Sequence, residues 1–283
     1  MAHPGHHDHP VVYATTCVNA YVVKRLVNGA AAVKTVDDPI AHGDRQVIDV
    51  HLIEDLQEAD LIIHSSLQDE TWLDYISLPR SRMADASAGL AGDALASHDA
   101  IVHSHGPEGA HSHGKPALAP WLDLPLLLKQ VKNIEDALHQ KLPHAPAIAR
   151  NSQVLQADIA TLHAQMTALG QSARDVQFFA PYAAYDYLAR RYGLTIETLG
   201  WRRDGAPTDS QWQALAKQRK AGERAFILWP RQPAADVAER LKAMNIGVIV
   251  FNPLDAACAD ADVMAVIKQN IAATGKALLL RSE

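Results

Sequence analysis

VVYATTCVNAYVVKRLV, residues 11–27, decides the first element of the fold. Val11–Thr16 is a short run of β-formers, too brief for a buried helix, and the apolar residues of NAYVVKRLV fall at helical spacing directly behind it. A strand that feeds straight into a helix is the first half of a β–α–β unit. Reading outward, AAAVKTV is a second apolar run that ends at the Asp38-Pro39 turn. His51–Ala59 then has helical periodicity, and Asp60–His64 (DLIIH) reads as a buried strand. Strands that alternate with helices in this way build a parallel sheet, whose ligands meet the loops at the carboxyl ends of strands. Thr16-Cys17 and His64-Ser65-Ser66 fall at such ends.

From Ala84 to Pro120 the composition changes to Ala, Gly, Ser, His and Pro, which predicts a loop region holding at most a short strand at Ala100–His103. A long helix follows, with Leu124, Leu127, Val131, Ile134 and Leu138 on one stripe, and Leu142-Pro143 breaks it. A second helix carries Leu155, Ile159, Leu162, Met166 and Leu169 and is expected to end near Gly170. Beyond it DVQFFA, TIETLG, AFILW and VIVF read as strands with helices between them. The expected fold is α/β: two α/β lobes with parallel sheets, joined by a long helix, with a ligand cleft between the lobes. The expected boundaries are 1–143 for the first lobe, 144–170 for the connecting helix and 171–283 for the second lobe.

The 283 residues are 48% apolar and carry a formal charge of −6, enough for real cores and without the basic face a nucleic-acid binder needs. No His-Glu-x-x-His, Gly-x-Ser-x-Gly or P-loop is present, so binding without catalysis is the simpler reading. Histidine is the outlier. Of 15, four lie at His3, His6, His7 and His9 and four at His103, His105, His111 and His113. The second group, HSHGPEGAHSH, sits within a loop spanning about residues 98–116. Its two His-x-His pairs flank a Gly-Pro-Glu-Gly turn. In an extended strand alternate residues face one way, so a turn that folds one pair onto the other would gather four imidazoles. Neutral imidazole suits zinc, copper, nickel and iron. A loop that only scavenges ions is the bland alternative. The two cysteines, Cys17 and Cys258, form no CxxC pair; Cys17 reads as a small buried residue, and one disulfide is possible in an oxidising compartment.

Six stretches carry a family likeness. VVYATTCVNAYVVKRLV, LQEADLIIHSSLQDETWLDYI, APWLDLPLLLKQVKNIEDAL, YAAYDYLARRYGL, ERLKAMNIGVIVFNPL and DVMAVIKQNIAAT resemble, in order, the metal-binding solute-binding proteins of zinc and manganese ABC importers. The resemblance spans almost the whole chain. It implies two α/β lobes bridged by a rigid helix, a metal held between them by three histidines and a carboxylate, and a histidine-rich loop in the first lobe.

The sequence departs from the ligand pattern that the resemblance implies. Near the first histidine, in AHGDR, only His42 or Asp44 could substitute. Pro120 stands before Trp121 in place of the second, Tyr182 stands in place of the third, and Asn252 replaces the carboxylate. Two opposite consequences follow: the cleft holds another ligand, or the loop replaces the lost imidazoles. The candidate metal ligands are therefore His103, His105, His111 and His113, with His64 at a strand end and Glu70 just before Trp72, the latter also able to orient a ligand or cap a helix. A Tyr182 phenol could contact iron(III) or a chelate.

The resemblance and the loop together predict an extracytoplasmic receptor, with its signal peptide removed, that captures a divalent ion for an ABC permease. Zinc is the expected ion, with manganese, iron, copper and nickel as further options. The partners are the permease and the metal, not nucleic acid, and the protein is expected to be a monomer. The alternatives are a receptor of the same fold for a metal chelate or organic ligand, and a periplasmic metal chaperone or buffer with no permease.

Overall fold

The computed structural model describes residues 9–35, 49–97, 115–203, 205–255 and 261–279. Among them two four-stranded sheets form, and all their strand pairs are parallel. The first contains β1 (Val11–Ala14), β2 (Ala32–Thr35), β3 (Leu61–His64) and β4 (Met83–Asp85), in the order β2-β1-β3-β4. The second contains β5 (Val176–Ala180), β6 (Ile196–Thr198), β7 (Arg224–Trp229) and β8 (Gly247–Val250), in the order β6-β5-β7-β8. The two orders are the same pattern repeated. In each, the chain runs from one central strand to an edge and returns to the other side of that strand. This leaves a switch point between β1 and β3, and another between β5 and β7. Such points are where open parallel sheets accept ligands.

Two compact units divide the chain. The first gathers the described residues of Met1–Asp93, Pro125–Ala160 and Ala256–Val263; the second gathers those of Ala94–Leu124, Thr161–Asp255 and Met264–Glu283. In the first unit, β1 is buried along its whole length and leads into α1 (Cys17–Val27). The Thr16 side chain caps that helix by accepting from the Asn19 N–H. The helix α2 (Val50–Glu58) packs Leu56 against Tyr13, Ile62, Trp72 and Leu73. A 3-10 turn at Thr71–Tyr75 carries Trp72 into that core. The Leu124–Leu138 stripe predicted from periodicity lies on α3 (Leu124–Lys141), and all five of its residues are at most 1% exposed.

The next helix, α4 (Ala147–Ser172), ends two residues beyond Gly170, near the end that its apolar stripe predicts. Gly170 is not a cap. A Cβ at that position would stand inside contact distance of the Tyr192 carbonyl oxygen, so glycine permits a close approach of two backbones. Tyr192 closes α5 (Asp186–Tyr192), whose C-cap, Gly193, adopts the left-handed conformation. The second core gathers Phe179, Trp201, Trp212, Leu215, Ile227 and Leu241, with Trp201 edge-on to Trp212 at 5.1 Å.

Two expectations change. The stretch from Ala84 read as loop, yet Met83–Asp85 is an edge strand paired with β3. Three half-buried residues hold no periodicity to read; the partner strand specifies them. Cys17 is disulfide-bonded and half-buried, not a free small apolar residue. Cys258 is the only other cysteine and lies outside the described residues. His163, half-buried on α4, pairs through Nδ1 with the Tyr192 hydroxyl at 3.1 Å.

Candidate functional site

The carboxyl ends of β1, β3 and β4 bring Thr15, His64, Ser65, Glu70 and Asp85 into one network. His64 is the last residue of β3, its imidazole side chain 23% exposed. Its Nδ1 stands 3.9 Å from Glu70 Oε2. Burial lowers the imidazole pKa and the Asp85 charge partly restores it, so the ring is neutral at pH 7 and keeps a lone pair for a metal. Asp85, at the end of β4, accepts from the Ser66 and Ser87 backbone N–H groups at 3.0 and 2.8 Å, which fixes the loop after β3. Behind it the Ser65 and Ser87 hydroxyls meet at 2.7 Å, and Gln130 donates to Ser87.

Glu70 is the central acid. Its side chain is 8% exposed; Oε2 accepts from the Ser65 N–H at 2.8 Å, and Oε1 lies 2.5 Å from the Thr15 hydroxyl. Burial pushes its pKa up to about 7, against the pull of the Ser65 and Thr15 hydrogen bonds and with the help of Asp85. The hydrogen bonds can accommodate both protonation states. Thr15 has one hydroxyl hydrogen and two acceptors, Glu70 and the Ile63 carbonyl at 3.2 Å. With Glu70 ionised, Thr15 donates to it; with Glu70 protonated, Glu70 donates to Thr15, which then donates to Ile63.

This arrangement has a consequence for stability. A carboxyl whose folded pKa lies above its unfolded value stabilises the fold fully below about 4.5 and loses that contribution as pH rises towards 7. The linkage is worth about 3 kcal/mol. The metal-free protein should therefore lose stability to urea between pH 4.5 and 7.5, and Glu70→Gln, which is neutral throughout, should flatten that slope. An unchanged slope in the variant would show that Glu70 does not titrate in this range.

In the second unit, every position where the family resemblance implies a ligand is engaged internally. Pro120 begins a buried 3-10 turn, Pro120–Leu122. It follows Ala119, which adopts a positive φ of 53°. Trp121 in that turn donates from Nε1 to the Pro253 carbonyl at 2.8 Å. Asn252 Oδ1 accepts from the Leu254 N–H at 2.8 Å, and its backbone is clamped at both N–H and C=O by the Asn270 amide. Its side-chain oxygen closes the turn after β8. Tyr182, two residues beyond β5, donates its hydroxyl to Asp255 at 3.0 Å. Asp123 is fully buried and binds Arg191 at 2.7 Å and Arg190 at 3.2 Å, joining the Trp-Leu-Asp stretch to α5.

His103, His105, His111 and His113, with His42 and Asp44, lie outside the described residues. Among the described residues, no three His, Cys, Asp or Glu side chains gather at metal-ligand spacing. His64 and Glu70 are brought together. The roles of Asp85, Thr15 and Asp255 were missed, since the partners of isolated polar residues are set by sheet topology.

The family described as ZnuA, the periplasmic zinc-uptake complex component A, matches residues 12–277. The high-affinity zinc uptake system protein ZnuA of Bacillus subtilis is 26% identical over 246 residues, covering 81% of this chain and 75% of that protein. The zinc-binding lipoprotein AdcA of Streptococcus pneumoniae is 24% identical over 207 residues, covering 71% of this chain. The matched region spans only 41% of AdcA. Among solved structures, the metal-dependent lipoprotein YcdH from B. subtilis superposes with a TM-score of 0.73 at 21% identity, over 96% of this chain and 100% of that one. Zn(II)-bound AdcA from S. pneumoniae gives 0.72 at 20% identity, over 97% of this chain and 59% of that one. With two sheets of repeated parallel topology and a family match running almost from end to end, the chain belongs to the ZnuA family of periplasmic zinc-uptake components.

Proposed function

We propose that this protein captures a zinc ion outside the cytoplasm and delivers it to the permease of an ABC importer, binding without catalysis. The observation that carries the reading is the neutral, partly exposed His64 beside Glu70 at the sheet's switch point. Imidazoles from His103, His105, His111 and His113 complete the ligand set in this reading, because Tyr182 and Asn252 already hold hydrogen-bond partners. Glu70 retains lone pairs beyond its two accepted hydrogen bonds, so it can ligate or orient His64. The disulfide at Cys17 supports an oxidising, extracytoplasmic setting and removes a free thiol at that position that copper(I) would need. The zinc named for AdcA and ZnuA supports zinc over manganese as the cargo.

Isothermal titration of zinc into the metal-free protein tests this, beside a variant with His103, His105, His111 and His113 all changed to alanine. Tight one-to-one binding that the variant loses is the expected result. Weak binding of several ions to the parent would reduce the loop to a scavenger. A second reading, a receptor for a metal chelate, is favoured by the Tyr182 and Asn252 replacements. It predicts no tight binding of the free ion and tight binding of a zinc–chelator complex.

A further inference from the structure

The second unit holds a buried polar cluster that zinc capture, as read above, leaves unused. The Asp255 side chain is 6% exposed, and its Oδ2 accepts from the Tyr182 hydroxyl at 3.0 Å and pairs with Arg203 Nη2 at 2.8 Å. Arg203 Nη1 also donates to the Asp255 carbonyl at 3.1 Å. The same guanidinium carbon lies 4.9 Å from the centroid of the Tyr182 ring. One cation thus touches both groups, gripping residue 255 and lying over the ring of residue 182.

Without that guanidinium the two oxygens would form a chelating pair. Their 3.0 Å separation matches two cis ligands of an octahedral ion, which at metal–oxygen distances of about 2.1 Å stand about 3 Å apart. Phenolate and carboxylate are oxygen donors that suit a hard cation. A buried carboxylate that loses its partner strongly favours a replacement charge or a proton.

We propose that Arg203 is a specificity-determining residue: a built-in cation that occupies the Tyr182–Asp255 oxygen pair and withholds that pair from metal ligation. This rests on the metal-capture reading above and restricts it. Ligation then falls to histidines, which favours zinc over oxygen-preferring ions.

The test uses the full chain, iron(III) citrate as probe, and metal analysis after dialysis. Arg203→Met keeps an aliphatic stem and removes the charge. It should carry one more equivalent of iron(III) than the parent and show the visible absorption of a phenolate–iron bond, the phenol proton passing to solvent. Adding Asp255→Asn should abolish the gain, and Arg203→Lys should restore the parent stoichiometry. An Arg203→Met protein that melts as the parent does and gains no iron overturns the proposal. Tyr182→Phe supplies a second decision that does not depend on folding of the Met variant. It should leave zinc affinity within about twofold of the parent, and a loss of tenfold or more overturns the proposal. Failure of zinc capture itself would appear separately, as a parent protein with no bound zinc, while the iron gain is still read as a difference.

Discussion

His64→Ala is expected to weaken zinc binding by about 100-fold or more, since losing a group that merely orients a ligand already costs about 10–100-fold. The imidazole ends β3 at a switch point, and burial keeps it neutral. The sign with pH follows from ligation by the unprotonated ring. An unperturbed imidazole stops ligating as pH falls through about 6.5, whereas His64, with its lowered pKa, holds its lone pair further into acid. Zinc affinity should therefore fall steeply below pH 6.5 in the parent. Competition titration against a chromophoric chelator at pH 7.5 and 5.5 reads both effects. An alanine variant that binds as tightly as the parent would remove His64 from the ligand set and leave the loop histidines as the whole site.

Trp121→Ala should cost about 4 kcal/mol of stability. The indole is 6% exposed, and its Nε1–H donates to the Pro253 carbonyl. Truncation leaves a cavity and an orphaned acceptor together. Trp121→Phe keeps most of the ring but loses the donor, and should cost about 1–2 kcal/mol. Urea unfolding of the metal-free proteins, followed by circular dichroism, separates the two. Equal costs would mean that packing of the ring contributes nothing beyond the hydrogen bond. The contact also fixes the turn at residues 252–254, where Leu254 is held at a positive φ of 59°. Loosening it should disturb the Tyr182–Asp255 pair as well.

Much of the fold was legible because burial imposes a period on sequence. Val11–Ala14 lies fully inside, and the helical stripe of Leu124, Leu127, Val131, Ile134 and Leu138 can be read from spacing alone. Strands that alternate with helices then leave few topologies, since crossovers between parallel strands share one hand. Met83–Asp85 escaped because an edge strand of three half-buried residues has no pattern of its own.

The candidate site was legible only as a set of residue types. His64 and Glu70 stand close in sequence, and their shared strand-and-turn context brings them together. Whether Asn252 or Tyr182 is free to ligate was a different question. Tyr182 is bound by Asp255, 73 residues away, and Trp121 reaches Pro253 across 132 residues. The sequence by itself determined the two parallel α/β sheets, their helices and the family, because each is written in local periodicity and ordered motifs. Only the tertiary structure decided which polar side chains are already satisfied, because a hydrogen bond depends on a partner's position in space, and sheet topology sets that position from afar.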